Sequence, residues 1–307
     1  MPLPDFFVIA PARSGTTTLH RLLDQHPEIY MCPVKETHFF ALEEGKKGLD
    51  PEELGRIIAA RPYQAKVADI ETYRRLFDGV KGEKAIGEAC PTYFRSQRAA
   101  KGIRHYVPEA KFIAVLRNPV DRAFSAFISA ARARGWPVGL FSEIPRMYKG
   151  NEHNAVDGEF RFIEGGFHSV HLKRYMELFG KDRIQVHLFD ELMGDIQGSL
   201  RQIYAFLGVD ESFRADTSMR YGVTGLPRSR ALDELLKRAT ESLALRASIR
   251  PLLPSPLRRA VSRLRNWNLV KPALPMEARR EWIGLYEEDI KELEKLIGRD
   301  LSRWLQG

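Results

Sequence analysis

Short apolar runs alternate along this chain with longer stretches in which apolar residues recur every three or four positions. The short runs are Phe6–Ala10, Ala85–Glu88, Phe112–Leu116 and Ile184–Phe189. Runs of that length read as strands buried on both faces. The stretches Thr17–Asp24, Val120–Arg134 and Ile196–Leu207 read as helices. The second is entered just after Asn118-Pro119 and stopped by Gly135 and Pro137, while Asp195 is placed to cap the third and Gly208 follows its end. Near the C-terminus, Met276–Ile297 sets Ile283, Tyr286, Ile290, Leu293 and Ile297 on one helical face. Strands interleaved with helices predict an α/β fold, a P-loop-type parallel sheet flanked by helices. Gly45–Pro62, Trp136–Phe160 and Pro251–Pro275 carry little pattern, and such insertions tend to surround the site of an α/β protein.

At 307 residues and 44% hydrophobic, the chain can bury one large core, and no linker, repeat or low-complexity stretch divides it. One domain over 1–307 is expected. No apolar run approaches the length of a membrane span, and the N-terminus lacks a basic leader with a cleavage site. Cys32 and Cys90, the only cysteines, make a disulfide framework improbable and read as buried thiols. A soluble, cytoplasmic protein is the expectation, with no Cys/His spacing for structural zinc. The net charge of +8 suits anionic ligands without naming one. Six arginines between Ser242 and Val270 (246, 250, 258, 259, 263 and 265) stand without a Lys, Asp or Glu. That patch suits an anionic substrate or a peripheral contact with lipid headgroups, and equally a plain solvated face. Nothing in it favours nucleic acid.

The densest chemistry lies in FFVIAPARSGTTTLHRLL, from Phe6 to Leu23, where a strand turns into a helix through a Gly- and Thr-rich loop. Such a loop offers backbone N–H groups and a helix N-terminus to a phosphate. Set against G-x-x-x-x-G-K-[ST], Ala10 takes the first Gly position, Gly15 the second, Thr16 the Lys and Thr17 the Ser/Thr position. Without that Lys a triphosphate is a poor ligand, and a different phosphorylated cofactor fits better. Arg13, Ser14, Gly15, Thr16, Thr17 and Thr18 form the expected cradle; the alternative is a Gly turn that merely opens a helix. Arg117 ends the Phe112–Leu116 strand, with Ser125 eight residues on. Its planar fork suits a phosphate, and the alternative is a structural ion pair. Glu36 and His38, in KETHFF, and Glu88, ahead of Pro91, would reach the same strand ends. A carboxylate there could take a proton from an acceptor, or Glu36 could belong to a surface Lys–Glu pair. His168 and His171 are three apart, a thin metal signal better read as ordinary core or surface histidines.

Together these residues resemble the sulfotransferases that use 3'-phosphoadenosine 5'-phosphosulfate (PAPS), in the carbohydrate, heparan-sulfate-type branch and its bacterial relatives. The resemblance rests on Arg13-Ser14-Gly15-Thr16-Thr17, Glu36-Thr37-His38-Phe39-Phe40, Glu88-Ala89-Cys90-Pro91-Thr92-Tyr93-Phe94, FIAVLRNPVDRAFSAF, GGFHSVHLKRYMELFG and the closing YEEDIKELEKLIGRDLSRW. It spans nearly the whole chain in order. It implies the sulfotransferase fold, with Arg13 and the loop through Thr18 on the 5'-phosphosulfate and Arg117 and Ser125 on the 3'-phosphate. Arg228, Ser229 and Arg230 would be a late basic element closing over the cofactor. Glu36 would be the general base, with Arg13 and His38 beside it in catalysis. It implies PAPS as donor, adenosine 3',5'-bisphosphate (PAP) as product, no metal, and a glycan or small-molecule acceptor. Two departures stand out. Carbohydrate-type members often carry Lys where this chain has Ala89, which weakens a glycosaminoglycan assignment, and the loop cation is Arg rather than Lys. The competing readings are an ATP-using P-loop kinase and a non-catalytic protein binding anionic glycans through the Arg246–Arg265 patch.

Overall fold

A computed structural model describes residues 2–42, 51–60, 67–149, 162–218, 222–241 and 255–306. Five parallel strands form the central sheet: β1 (Phe6–Ile9), β2 (Ile29–Met31), β3 (Ala85–Ala89), β4 (Lys111–Leu116) and β5 (Ile184–Leu188), in spatial order β2-β3-β1-β4-β5. The helices are α1 (Thr16–Leu23), α2 (Pro51–Ala60), α3 (Ile70–Arg75), α4 (Pro91–Arg95), α5 (Gln97–Tyr106), α6 (Pro119–Arg134), α7 (Leu140–Lys149), α8 (His168–Phe179), α9 (Phe189–Gly194), α10 (Ile196–Leu207), α11 (Arg230–Glu241), α12 (Ser255–Trp267) and α13 (Met276–Ile297). Leu226–Pro227 and Leu269–Val270 pair as a small antiparallel ribbon, β6 and β7. Among the described residues no helix is long and apolar enough to cross a membrane.

β1 shows why the short apolar runs become strands. Its side chains alternate, Phe6 and Val8 to one face, Phe7 and Ile9 to the other, and all four are buried. Helices cover both faces, as a parallel sheet requires. On one side α1 and α10 supply Leu19, Leu22, Leu200 and Ile203. On the other, α5, α6, α8 and α13 supply Ile103, Phe124, Tyr175 and Trp282.

The chain passes from β1 outward to β2 and from β4 outward to β5, so the direction of winding reverses between the adjacent strands β1 and β4. A sheet of this kind opens a crevice at that point, beyond the strands' carboxyl ends. The loops after β1 and β4 carry Arg13 and Arg117 there.

The three weakly patterned stretches are not structureless: they contain α2, α7 and α12. In α7 the pattern is interrupted by Pro145, which cannot donate to the carbonyl of Phe141; the indole N–H of Trp282 donates to that oxygen instead, at 3.0 Å. Phe141 is buried and stacks on Trp282 with centroids 4.5 Å apart, so it belongs to the core rather than to a cover over a substrate. Of the arginine-rich stretch, Arg246 and Arg250 lie outside the described residues.

One packing contact gives a direct stability test. Gly87 of β3 faces Phe6, and a Cβ built on it would stand 2.1 Å from the ring. Gly87→Ala forces the ring or the strand to move and should cost about 1–3 kcal/mol as overpacking. Urea melts measure it, and an unchanged midpoint would contradict this placement of Phe6.

Candidate active site

The loop after β1 opens α1 through Gly15, which is left-handed at φ 83° and caps the helix without a side-chain hydrogen bond. No acidic residue occupies the first turn of α1. The amides that begin a helix have no intrahelical partner, so this N-terminus is electropositive and suited to an anion. A Cβ at Gly15 would meet the Phe189 ring at 3.0 Å, so both the backbone angle and the wall behind it select glycine.

This loop borders a cavity of about 320 Å³ lined by Arg13, Gly15, Thr16, Thr17 and Thr18, with Glu36, Arg117, Ser125 and Thr224 on facing elements. The Arg13 side chain crosses it. Its Nε donates to Ser125 Oγ at 3.3 Å, and Nη2 donates to Thr224 Oγ1 and to the Gly222 carbonyl, the latter at 3.3 Å. Ser125 and Thr224 hydroxyls lie 2.9 Å apart. Arg117 Nη1 donates to the Arg13 carbonyl at 2.8 Å, and its guanidinium lies 4.5 Å from the centroid of the Phe189 ring, a cation–π contact. Burial holds both guanidiniums below their usual range, and the charge of Arg117 lowers Arg13 further while Glu36 raises it. Both remain cations. Asp121 and Asp190 offset part of this lowering for Arg117, and two guanidiniums gathered in a desolvated cleft over a helix N-terminus suit an anionic ligand.

Glu36 reaches the cavity from the segment after β2. Lys35, which could have been half of a surface pair, has a side chain only 1% exposed, and its ammonium meets Glu36 Oε1. Among the described residues, the non-glycine residues with positive φ are Arg13 at 74°, Glu36 at 64° and His38 at 59°. Each such residue costs on the order of 1–3 kcal/mol and persists only where the surroundings impose it. His38 does not line the cavity; its Nδ1 is 3.9 Å from Cys90 Sγ. Burial pushes the Cys90 thiol up, which makes it inert as a nucleophile.

The structure separates other residues from the cavity. Ser14 is fully buried, and its Oγ has no hydrogen-bond partner among the described residues. Arg228, Ser229 and Arg230 flank the β6–β7 ribbon instead of lining the cleft. Arg228 N–H donates to the Asn268 carbonyl at 2.7 Å, its guanidinium lies 5.5 Å from the Trp267 ring, and Ser229 bonds the Asn268 amide. The part of this region that does reach the cavity is Gly222 and Thr224, which the sequence did not single out. Phe189 was also missed as a site residue. It directly follows β5 as Arg117 follows β4, and that shared position was the available signal. Glu88 is fully buried behind the cavity rather than in it. Burial pushes its carboxyl up to about 6, against the lowering effect of hydroxyl donors from Thr37, Tyr73 and Tyr93.

His168 and His171 both make backbone contacts, His171 through its Nε2 and the Glu164 carbonyl at 3.2 Å. Among the described residues, no group of three or more His, Cys, Asp or Glu could hold a metal. His168 is fully buried, and its Nε2 meets the Arg117 carbonyl at 2.8 Å, where it must be the donor. Asp289 of α13 accepts the backbone N–H groups of His168 and Ser169 at 2.7 and 3.1 Å. Burial pushes His168 down to about 3, and His171 and His187 to about 4. A base depressed in the fold gives stability that is present above the unfolded pKa and is lost as pH falls through the window from 6.5 toward 3. His168 alone accounts for roughly 4–5 kcal/mol across that range. Glu88 acts in the opposite sense, losing stability as pH rises from 4.5 to about 6, but over a smaller shift. The melting temperature should therefore fall steadily below pH 6.5, with a shallower slope in His168→Gln. Thermal melts from pH 4 to 8 check both, and parallel slopes would remove His168 as a cause.

Comparison with known proteins identifies the fold and the family. The model of the sulfotransferase family matches residues 4–213. The crystal structure of a sulfotransferase from Alicyclobacillus acidocaldarius is similar over the full length of both chains, with a TM-score of 0.68 and 29% identity. Human bifunctional heparan sulfate N-deacetylase/N-sulfotransferase 2 is 25% identical over 229 residues, 71% of this chain and 23% of that protein. Mouse heparan sulfate glucosamine 3-O-sulfotransferase 3B1 is 24% identical over 207 residues, 67% of this chain and 46% of that protein. The chain thus spans less than half the length of these two relatives. The match favours the sulfotransferase reading over the competing ATP-using P-loop kinase, which the missing loop Lys already disfavoured. With two thirds of its length matched, from just ahead of β1 to just beyond α10, the chain belongs to the sulfotransferase family.

Proposed function

We propose that this chain transfers the sulfuryl group of PAPS to a hydroxyl of a carbohydrate, glycolipid or small-metabolite acceptor by in-line displacement, with Glu36 as general base. The observation that carries this reading is the meeting of Arg13, Arg117, the uncapped α1 terminus and the Glu36 carboxylate in one cavity. A doubly phosphorylated adenosine matches two guanidiniums and an anion cradle better than a singly charged ligand does. The cradle fits such a group because the first turn of α1 holds no acidic residue to compete with an anion, and Arg13 and Arg117 border the same cavity.

In this reading the loop from Arg13 to Thr18 holds the 5'-phosphosulfate, and Arg117 with Ser125 holds the 3'-phosphate. Bound PAPS supplies an activated sulfur with a phosphate leaving group. Glu36 takes the acceptor proton as the new S–O bond forms and the bond from sulfur to the phosphate oxygen breaks, leaving PAP. Lys35 meets Oε1 of the same carboxylate. Arg13 and the loop amides meet the charge that grows on the departing oxygen, where one well-placed donor is worth about 3–4 kcal/mol of barrier. No step requires a metal. The heparan sulfate chemistry in the relatives' names supports a sugar acceptor, while Ala89 leaves the glycosaminoglycan assignment open to smaller acceptors.

The test is transfer of labelled sulfate from PAPS to acceptors fractionated by polarity, together with thermal protection by PAP and by ATP. Labelled acceptor and stronger protection by PAP support the reading. Binding of PAP without transfer to any fraction, or stronger protection by ATP, counts against it.

A further inference from the structure

Glu88 cannot meet a ligand directly, because it is fully buried and outside the cavity lining. Its carboxylate is nevertheless tied to the segment that carries Glu36. Oε1 accepts the Thr37 hydroxyl at 2.5 Å and the Tyr93 hydroxyl at 3.0 Å, and Oε2 accepts the Tyr73 hydroxyl at 2.5 Å. The Thr37 backbone N–H also bonds the carboxylate. The same cluster extends forward: Thr37 Oγ1 accepts from Phe39 N–H at 3.2 Å, and the Tyr93 hydroxyl accepts from Phe40 N–H at 3.3 Å. One residue along β3, the Ala89 carbonyl accepts Glu36 N–H at 3.0 Å.

Thr37 is therefore the fixed point between two left-handed residues, Glu36 and His38. A free segment would relax out of that backbone, since neither residue is glycine. Two adjacent positions of β3 prevent it, Ala89 through its backbone and Glu88 through its side chain. A desolvated carboxylate suits this task because its hydrogen bonds are charge-assisted and no water competes for them. The hydroxyls of Tyr73 on α3 and Tyr93 on α4 hold the carboxylate itself in place, and Tyr73 also stacks on Phe39 at 4.3 Å.

We propose that Glu88 is the positioning residue of the Glu36 base: by locking Thr37 it holds Glu36 and His38 in the left-handed backbone that turns the Glu36 carboxylate into the cleft, an inference that rests on the sulfuryl-transfer reading. Glu88 moves no proton in the reaction and touches neither donor nor acceptor.

Thr37→Val keeps the shape of the side chain and removes the hydroxyl; Thr37→Ser keeps the hydroxyl. Transfer is assayed with PAPS as donor and with desulfated heparan sulfate and 2-naphthol as probe acceptors, well below the unfolding temperature. Thr37→Val should lower kcat on the order of 10²-fold, the loss typical of a misplaced catalytic group, with PAP affinity by calorimetry unchanged. Thr37→Ser should restore kcat to within about threefold, and in a Glu36→Gln background Thr37→Val should cost less than about threefold, because the group it positions is gone. Glu88→Gln should repeat the loss; if that chain does not fold, Thr37→Val and Tyr93→Phe carry the test. In a crystal structure of Thr37→Val, Glu36 and His38 should have left the left-handed region. Parental kcat in Thr37→Val, an equal loss in both backgrounds, or a Glu36 φ that stays near 64° overturns the proposal. If the unaltered chain transfers sulfate to neither probe acceptor, the transfer reading fails for those acceptors, and the backbone of Thr37→Val still decides for or against the clamp.

Discussion

Glu36→Gln should reduce sulfate transfer on the order of 10²–10⁴-fold, the range a positioned general base contributes, while PAP affinity stays close to that of the parent. The amide keeps the size of the carboxyl and cannot take the acceptor proton. The Glu36 side chain forms an ion pair with Lys35, which is 1% exposed. That pairing has a second consequence. Removing the charge of Glu36 leaves a buried ammonium without its counter-ion, a change that typically costs about 3–5 kcal/mol. Glu36→Gln should therefore melt earlier as well as turn over slowly, and the two effects are separable. Replacing Lys35 by Met in the same chain removes the stranded charge and should recover much of the melting temperature without recovering turnover. Single-turnover transfer, calorimetry with PAP and thermal melts make the three measurements. Turnover within about tenfold of the parent would remove Glu36 from the base role.

The sequence makes legible what depends on local pattern. β1, β4 and β5 are apolar runs with a turn at each end, and the caps at Asn118, Asp195 and Gly208 act at the positions their side chains or flexibility suit: Asn118 Oδ1 accepts Val120 N–H at 2.9 Å, Asp195 Oδ1 accepts Gly198 N–H at 2.8 Å, and Gly208 is left-handed at φ 76°. β2 was not legible, because three residues, Ile29–Met31, are too few to show a period, and their strand character comes from pairing with β3. α7 was hidden by a proline whose missing hydrogen bond is supplied from α13, over 130 residues away. The site divides the same way. Arg13, Glu36, Arg117 and Ser125 are marked by their places after strands and in motifs, and the fold brings all four to one cavity. Thr224 reaches Arg13 across 211 residues, a contact that no spacing rule anticipates. Glu88 looked like a second site carboxylate; only tertiary burial turns it inward, and Lys35 is taken off the surface for the same reason.

Arg117→Ala should weaken binding of PAP on the order of 10²-fold or more and of 5'-AMP only a few-fold, because in the proposed reading the lost interaction is a desolvated charge pair with the 3'-phosphate. The position is rigid before any ligand arrives. The Arg117 carbonyl is held by His168 at 2.8 Å, Nη1 by the Arg13 carbonyl at 2.8 Å, and one face of the guanidinium by Phe189 at 4.5 Å. Little side-chain entropy is left to lose when an anion binds, so the full strength of the charge-assisted contact is available to select the doubly phosphorylated nucleotide. Arg117→Lys should recover only part of the loss, since an ammonium cannot both stack on Phe189 and reach the Arg13 carbonyl in the same planar geometry. The contact to the Arg13 carbonyl also means that Arg117→Ala loosens the phosphate loop itself. The 5'-AMP arm measures that indirect effect, because this ligand needs the loop and lacks the 3'-phosphate. Titration calorimetry of both ligands against the parent, Arg117→Ala and Arg117→Lys yields the ratio. Equal losses for the two ligands would mean that Arg117 acts only by bracing the loop, and the 3'-phosphate would then have to be assigned to Ser125 and Thr224.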